Sequence, residues 1–512
     1  MTVARAEADV PRERTFTIGL TNATLVLVLI AAAGVRLWNL DSVPPELHPD
    51  EYAPWLGVTD MLSGHNPPSV FLDYGVVYLP LYGAFEALSV WLFDGTIAAF
   101  RLPAALFGVA TALATGLLAY QFVPRRAVLL VAAGSMALLP WDVSVSRVGW
   151  EPAAMLPFLL FGLYFVRRGL LGPSDRAIYA GFALLAIGAY SYRAESFYAV
   201  ALTLALLAVE FERTRARAQA VASGIAIAIL ILLPLGFAVM SQPRDLTSGP
   251  AQGTFDPGIN AGSLTEFRVL YFKQFAASAL FSTGDGNLQH GPATGVLYPW
   301  MAPFIVAGFL APLGLFKLRP RLFAMLWLVL YPFGGALTDD NGGQHFIRTL
   351  AGAPLFCIVA AIGLVACWEW LGRMLAGSRF RVPVQSAVVT LFAAVAAVQF
   401  VQFCQTYFIR YPAQAATIFH YGDRQIFDFV KANDAGFERV CFTVLDAWNY
   451  SAQIRYYLRD APIEEYSGID RCKARRSLLA LQSRAEAPRG ARFLGTVQHY
   501  DGTIRAYFFA VQ

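Results

Sequence analysis

Long apolar stretches separated by short polar segments dominate the chain from about residue 17 to residue 404. A helix that crosses a bilayer needs roughly 17–25 mostly apolar residues. On this criterion we predict eleven membrane spans, at residues 17–38, 99–121, 126–142, 151–168, 176–191, 195–211, 218–240, 294–316, 322–338, 346–371 and 383–404. The fifth and sixth are short enough to form a tight hairpin instead. The "AAAG" of the first is typical of a signal cleavage site, but its apolar run continues to Trp38 and favours a retained helix.

Composition supports this pattern. The chain has 512 residues, of which 57% are hydrophobic and 14% are charged, and its mean hydropathy is +0.50. A soluble globular chain carries roughly 25% charged residues. The sequence therefore predicts a polytopic α-helical membrane protein in contact with membrane lipids. It has no Gly-rich nucleotide loop, so we expect neither a nucleotide cofactor nor a nucleic-acid partner.

Basic residues concentrate in every second short loop, which predicts the orientation of the spans. Cytoplasmic loops carry the excess of Lys and Arg, so the N-terminus is expected in the cytoplasm and the C-terminus outside, in a multi-pass protein of a bacterial plasma membrane. Three larger polar regions then share the outer side, at residues 41–98, 241–293 and 405–512. The basic groups are Arg5, Arg12 and Arg14; Arg125 and Arg126; Arg167, Arg168 and Arg176; Arg213, Arg215 and Arg217; Lys317, Arg319 and Arg321; and Arg373, Arg379 and Arg381.

The tail is expected to form a small α/β domain, residues 405–512, next to a transmembrane domain at 1–404. "RQIFDFVKAN" is helix-like, "RVCFTVLD" is strand-like, and "ARFLGTVQHYDGTIRAYFFAVQ" predicts a hairpin that turns at Asp501–Gly502. Cys441 and Cys472 fall in this tail and could pair in an oxidising compartment. The other three cysteines lie in apolar segments and show no metal-ligand spacing.

Ionisable residues gather at the predicted outer ends of the spans. Arg101, Glu151, Glu195 and Arg348 all fall there, and the span interiors carry almost none. Ion-coupled transporters usually keep acids or bases near the bilayer midplane, at an energetic cost. The distribution favours an enzyme whose site lies at the outer membrane–water boundary over a transporter.

The most distinctive polar motif is "PPELHPDEYAPW", which contains Asp50 and Glu51 and follows the first span. Adjacent carboxylates repel, so one of them readily acquires a raised pKa or is held by a cation. Such a group suits a general base that takes a proton from an acceptor hydroxyl. The alternative is structural, because acids at this position could cap a helix beginning at Tyr52.

Other polar groups on the same side are candidates for substrate binding. Arginine binds phosphate through paired N–H donors, and each of these arginines could alternatively be an interfacial residue that reaches towards water. The segment "STGDGNLQHGP" could bind a metal or a sugar, or could be a Gly-rich turn; in "SYRAES", Arg193 and Glu195 could pair with each other. The candidates for donor-phosphate or substrate binding are Arg101, Arg147, Glu151, Asp285, His290, His345 and Arg348.

With these residues assembled, the sequence resembles the GT-C membrane glycosyltransferases, in particular the branch of the protein O-mannosyltransferases and lipid A aminoarabinose transferases. The resemblance rests on "RLWNLDSVPPELHPDEYA" and "FRLPAALFGVATALATGLLAYQF". It is supported by "SRVGWEPAAMLPFLLFGLYF", "GDGNLQHGP" and "HFIRTLAGAPLFCIVAAIGL", and it covers roughly residues 35–370. It implies a GT-C fold of about eleven spans with a small extracytoplasmic domain.

The resemblance also implies an inverting glycosyltransferase that uses a polyprenyl-phosphate-linked sugar and a lipid, glycan or protein acceptor. Asp50 would be the general base, and Glu51 would orient it or bind a metal. Some relatives bind a divalent cation near the acidic pair, so His48, Asp50 and Glu51 are candidate metal ligands. Two alternatives stay open: a lipid-linked sugar flippase, and a non-catalytic relative that binds polyprenyl phosphate.

Overall fold

The computed structural model describes residues 12–65, 72–73, 77–241, 252–253, 260–339, 344–433, 437, 439–445, 454, 457–458, 465–467 and 476–511. Its helices are α1 (Arg12–Leu37), α2 (Pro49–Leu62), α3 (Pro80–Leu92), α4 (Ile97–Phe122), α5 (Arg126–Ala137), α6 (Pro140–Val145), α7 (Pro152–Leu171), α8 (Asp175–Gly188), α9 (Arg193–Val209), α10 (Phe211–Ala216), α11 (Ala218–Ser241), α12 (Ala261–Lys273), α13 (Met301–Phe309), α14 (Leu318–Leu330), α15 (Phe333–Ala336), α16 (Gly352–Met374), α17 (Arg381–Gln405), α18 (Tyr411–Ala415) and α19 (Asp423–Asn433). Two π-helical turns, Ala279–Thr283 and Thr406–Arg410, and a 3-10 turn at Arg484–Glu486 are also present.

Each of the eleven predicted spans contains a helix. Within the described residues, α1, α4, α7, α11, α16 and α17 with its extension are long and apolar enough to cross a membrane. The remaining predicted spans hold the shorter helices α5, α8, α9, α13 and α14, of 9 to 17 residues. The protein is therefore a helical membrane protein, and the count of eleven crossings stays a prediction. The tenth predicted span starts later than expected, at Gly352, because residues before it form turns.

The membrane part has one continuous apolar core, to which α4, α5, α7, α9 and α16 contribute buried residues. Small residues bring some helices very close together, as is common in membranes. On α16, a Cβ added at Gly363 would lie 1.9 Å from the carbonyl oxygen of Phe304 in α13, and one added at Gly308 would lie 2.1 Å from that of Val359. The contact between α13 and α16 thus depends on glycine at both positions.

The tail forms the predicted α/β domain. Its sheet has the strand order β6 (Glu465–Ser467), β5 (Arg439–Phe442), β7 (Ser477–Leu481), β9 (Ile504–Val511), β8 (Arg492–Gln498). Strand β5 runs parallel to β6 and β7, whereas β9 is antiparallel to β7 and β8. The hairpin turns at Asp501–Gly502 as predicted, and Gly502 has a φ of +85°, which favours glycine. Helix α19 confirms the predicted helix, and its Phe427 and Val430 pack in the core beneath the sheet.

Four short strands outside this domain form two small antiparallel pairs. These are β1 (Leu72–Asp73) with β2 (Val77–Tyr78), and β3 (Gln252–Gly253) with β4 (Thr338–Asp339). In the tail domain Cys441 is disulfide-bonded, while its predicted partner Cys472 lies outside the described residues. A disulfide is typical of an oxidising compartment, which agrees with an extracytoplasmic tail.

The last long helix continues beyond the predicted domain boundary at 404/405. A π-helical turn at Thr406–Arg410 joins α17 to α18, which ends at Ala415. Tyr407, Tyr411 and Phe419 are buried in the core of the membrane part. The segment up to Phe419 therefore packs with the transmembrane helices, and the sheet domain follows it; the functional division into two domains stays a prediction.

We predict that Gly363→Ala destabilises the protein, because the new Cβ would overlap the backbone of α13. Overpacking of this kind costs about 1–3 kcal/mol. Gly372→Ala is the matched control on the same helix, since a Cβ there meets only the Gln385 side chain at 3.5 Å. Thermal unfolding in detergent should show a lower melting temperature for Gly363→Ala alone; equal melting temperatures would contradict the close contact of α13 and α16.

Candidate functional site

A fully buried arginine organises the entry to the first outer loop. Arg101, near the start of α4, donates from Nε and Nη2 to the Glu51 carboxylate at 2.8 Å and 3.0 Å. Its Nη1 donates to the carbonyls of Leu40 (3.1 Å) and Pro44 (2.8 Å), and Nη2 also donates to the carbonyl of Glu46. All its N–H groups are thereby used. A buried arginine with every donor satisfied fixes the path of the chain that it binds.

Two further buried arginines hold the same connection. Arg147 donates to the carbonyls of Val35 (2.8 Å), Arg36 (2.7 Å) and Val43 (2.9 Å). Arg36 forms an ion pair with Asp142 at 2.5 Å. The carbonyls at the end of α1 and in the following turn thus point at arginine side chains. The segment that leads into α2 is fixed before the acidic pair begins.

The adjacent carboxylates have different environments. Helix α2 begins at Pro49, earlier than the expected Tyr52, and His48 is its N-cap: the Asp50 N–H donates to His48 Nδ1 at 3.2 Å. Glu51 Oε1 accepts from the His48 N–H at 2.8 Å, and Oε2 accepts from the Gly149 N–H at 2.7 Å. Glu51 is fully buried, whereas the Asp50 side chain keeps 26% of its surface exposed. The alternative of a helix-capping role therefore applies to Glu51, whereas Asp50 faces outward from the same turn.

Asp50 is held by a residue from a distant segment. The side-chain amide of Gln289 donates to Asp50 Oδ2 at 2.9 Å and lies 3.3 Å from His48 Nδ1. Gln289 belongs to the "GDGNLQHGP" turn, which the fold brings next to the first outer loop. Gln289 could not be selected from the sequence, because a glutamine in a polar loop carries no distinctive signal.

The "GDGNLQHGP" turn is built around Asp285. Its carboxylate binds His290 Nδ1 at 2.5 Å and accepts from the backbone N–H groups of Phe346 (3.0 Å) and Asn287 (3.1 Å). Burial alone would raise the pKa of Asp285, but His290 and these N–H groups outweigh it and lower the pKa. His290 also lies against His345, with ring centroids 4.7 Å apart. Asp285 thus fastens the segments that contain His290 and His345 to each other.

A second carboxylate and two arginines complete the outer cluster. Glu151 lies deep in the fold but keeps part of its surface accessible, and its Oε1 accepts from the Leu79 N–H at 2.9 Å. Burial raises its pKa to about 8, and nearby Asp50 adds to that rise while Arg193 opposes it. Arg348 forms a hydrogen bond with the hydroxyl of Tyr192. The charges of Glu151 and Arg193 also act on the pKa of this hydroxyl, which Glu151 raises and Arg193 lowers. Electrostatic interactions thus link Asp50 to Glu151, and Glu151, Arg193 and Arg348 to Tyr192; we refer to these five side chains as the outer cluster.

The structure thus places the predicted site residues in three groups: the outer cluster, the turns beside it, and the buried arginines. Asp50, Glu151 and Arg348 lie in the cluster, and Asp285, His290 and His345 hold the turns that border it. Arg101 and Arg147 are both fully buried, which does not suit the predicted contact with a phosphate. Glu51 and backbone carbonyls engage the donors of Arg101, whereas Arg147 binds backbone carbonyls through Nη1 and Nη2 and its Nε has no hydrogen-bond partner among the described residues. A pair of Arg193 with Glu195 was one possibility that the sequence left open; in the structure the charge of Arg193 lowers the pKa of Glu151. The Glu195 carboxylate is buried without a hydrogen-bond partner among the described residues.

The predicted metal ligands do not fit a divalent cation. Both oxygens of Glu51 are taken by Arg101 and by the backbone N–H groups of His48 and Gly149. Only His48 and Asp50 then remain from the expected set. Across the part of the chain that the structure describes, no group of three or more His, Cys, Asp and Glu side chains could hold a metal ion. The proposed reaction accordingly includes no metal step.

The site is joined to the tail domain by a buried glutamate. Glu46, whose carbonyl accepts from Arg101, has a side chain that is 1% exposed and forms an ion pair with Arg424 Nε of α19 at 3.4 Å. Burial raises the pKa of Glu46 to about 7, although Arg424 and Arg101 oppose the rise. The tail domain thus contacts the loop that carries Asp50.

The fold of this chain, the GT-C fold, is shared with solved structures from two groups of proteins. ArnT from Cupriavidus metallidurans in the apo state superposes with a TM-score of 0.55 at 13% identity, over 97% of this chain and 98% of that one. The same enzyme bound to undecaprenyl phosphate gives a TM-score of 0.53 at 13% identity and the same coverage. These superpositions establish the fold, and they confirm the resemblance at the level of the fold alone.

A second group of solved structures shares the fold over part of its length. The oligosaccharyltransferase AglB from Archaeoglobus fulgidus, in complex with an inhibitory peptide and a dolichol-phosphate, has a TM-score of 0.54 at 13% identity. The match covers 86% of this chain and 64% of AglB. No known protein family matches the sequence, and no curated protein sequence matches it either.

We predict that the protein loses stability as pH rises from about 5 to 8 because of Glu46. Its pKa is about 7 in the folded chain and 4.5 in the unfolded chain, so the folded state binds more protons in this range. The stabilisation, about 3 kcal/mol, is fully present below pH 4.5 and is lost progressively as pH rises from 4.5 to just above 7. Glu46→Gln should flatten this slope in thermal unfolding at several pH values.

The surface variant Glu369→Gln is the control for this experiment, because Glu369 is 39% exposed in its ion pair with Arg125. It should keep the wild-type pH dependence. An unchanged slope in Glu46→Gln would show that Glu46 is already ionised in the folded protein.

Proposed function

We propose that the protein is an inverting glycosyltransferase that moves a sugar from a polyprenyl-phosphate donor to an acceptor hydroxyl on the outer face of the membrane. One observation carries the proposal. Asp50 is the partly exposed member of the acidic pair, and it lies in a cluster with two arginines at the predicted membrane boundary. The fold supports the proposal, since ArnT has been solved with undecaprenyl phosphate and AglB with a dolichol-phosphate.

The proposed reaction is a single displacement. Asp50 removes the proton from the acceptor hydroxyl while the acceptor oxygen bonds to C1 of the sugar. The bond between C1 and the phosphate oxygen breaks on the opposite face, and its electron pair leaves with the lipid phosphate. Asp50 Oδ2 is held by Gln289 at 2.9 Å, and Glu51 fixes the turn through His48, so the base is oriented before substrate binds.

Arg348 and Arg193 are the proposed ligands of the donor phosphate. Both are partly exposed and lie around Tyr192 in the cluster. Arginine suits this role because its planar guanidinium binds phosphate oxygens in pairs and stays charged. Arg101 and Arg147, by contrast, act on the protein backbone and contribute by positioning the loop.

Glu151 is proposed to stay protonated while the enzyme works. Its pKa of about 8 leaves it neutral at neutral pH, so it adds no negative charge beside Asp50 or a phosphate. A neutral carboxyl can donate a hydrogen bond to a substrate oxygen. Asp50 and Glu151 therefore have different roles. Asp50 accepts the proton, and the neutral Glu151 keeps the cluster favourable to an anion.

The other proposed assignments follow from this reaction. The donor is a lipid-linked sugar, the tail lies on the extracytoplasmic side, and the protein resides in a plasma membrane with its N-terminus in the cytoplasm. A flippase is less well supported, because the polar cluster lies at one boundary and is not distributed along a path through the helices.

We predict that Asp50→Asn lowers sugar transfer by about 100-fold to 10,000-fold, the usual effect of losing a general base. The measurement is transfer from a panel of radiolabelled polyprenyl-phosphate sugars to any acceptor or to water, in purified membranes. Asp94→Asn is the matched control in the same outer loop, at an exposed position with a φ of +57° that asparagine tolerates. Equal transfer by Asp50→Asn and wild type would refute the proposed mechanism.

We also predict that transfer by the wild type declines above about pH 8. Deprotonation of Glu151 would place a second negative charge beside Asp50 and oppose the departing phosphate. Glu151→Gln stays neutral, so its rate at pH 9 relative to pH 7 should be at least several-fold higher than that of the wild type. The same alkaline decline in both proteins would show that another group causes it.

A further inference from the structure

A cavity of about 400 Å³ lies between the tail domain and the segment that follows the last long helix. Its wall contains Thr417, His420 and Tyr421 from that segment, and Gln482, His499 and Arg505 from the sheet domain. The volume falls within the range of ordinary ligand pockets, roughly 300–1,000 Å³. None of these residues takes part in the reaction proposed above, so the cavity needs its own explanation.

The cavity lies next to the proposed base. The ring of His420, which forms part of its wall, packs edge-on against the ring of His48 with centroids 5.9 Å apart. His48 caps the helix that carries Asp50, and its Nδ1 lies 3.3 Å from Asp50 Oδ2. A molecule in the cavity is therefore separated from the reacting carboxylate by little more than two imidazole rings.

The charges of the cavity wall largely cancel. Arg505 Nη2 binds Asp423 Oδ1 at 2.9 Å, and His420 Nδ1 lies 3.6 Å from the other oxygen of the same buried carboxylate. The guanidinium is thus already neutralised, and it is not poised for an anionic ligand. The wall instead suits an uncharged ligand.

The hydrogen-bonding groups of the wall match sugar hydroxyls. Amide, hydroxyl and imidazole groups from Gln482, Thr417, Tyr421 and His499 supply both donors and acceptors. Val444 and Leu445 add an apolar surface, against which the C–H face of a sugar ring can pack. An uncharged, hydroxyl-rich molecule is the ligand class that uses all of these groups.

We propose that this cavity is the acceptor subsite and that the acceptor is a neutral glycan. A sugar unit that does not react would occupy the cavity, and the hydroxyl of the adjoining unit would reach Asp50. This inference rests on the proposed function and deepens it, because it selects the glycan from among lipid, glycan and protein acceptors. It also gives the tail domain a role in recognition.

The test is direct binding of free saccharides to the full-length protein in detergent. The probes are glucose, galactose, mannose, arabinose and their common disaccharides, with galacturonic acid as the anionic counterpart. Binding is measured by saturation-transfer NMR. We expect the neutral saccharides to bind the wild type. Gln482→Ala combined with His499→Ala should weaken binding at least 10-fold, and Gln498→Ala, an exposed glutamine of β8, should not.

The outcomes separate this inference from the proposed function. Binding that persists in Asp50→Asn and is lost in the Gln482–His499 double variant supports the subsite whether or not transfer has been detected. The absence of binding by every neutral saccharide would overturn the inference. Stronger binding of galacturonic acid, or equal loss in Gln498→Ala, would overturn it as well.

Discussion

The buried ion pair of Arg101 and Glu51 is the interaction on which the site depends. It places a cation and an anion, both completely buried, at the junction of the first outer loop with α4. Neither charge would be tolerated alone there, since breaking such a pair typically costs 3–5 kcal/mol. The remaining donors of Arg101 bind backbone carbonyls, so the same pair also fixes the turn before α2. In the proposed mechanism Asp50 owes its position to Glu51, which takes no part in the chemistry itself.

Much of the fold could be predicted from the sequence, because membrane helices leave a strong signal. Apolar runs located a helix in each predicted span, and the hairpin at Asp501–Gly502 followed from turn chemistry. The boundaries at residues 346 and 404 were less predictable. Apolar composition continues through turns before Gly352 and through the extension of α17, and only packing distinguishes these from the spans.

The candidate site was predictable in part, and the reason is physical. A paired acid is conspicuous in an apolar chain, so Asp50 and Glu51 could be selected. Which acid is exposed depends on Arg101 and Gly149, which lie far away in sequence. The arginines show the same limit: Arg101 and Arg348 look equivalent in sequence, yet one is saturated by the backbone and the other lies in the cluster with Tyr192. Gln289 and Arg193 became apparent only through their contacts.

Glu51 has a structural role and Asp50 a chemical role in the proposed mechanism, and this division can be measured directly. Glu51→Gln and Asp50→Asn should be purified side by side, and the melting temperature of each compared with its turnover per folded molecule. We predict that Glu51→Gln lowers the melting temperature markedly, while Asp50→Asn melts like the wild type and loses turnover. A stable Glu51→Gln protein without turnover, beside an active Asp50→Asn protein, would contradict the account.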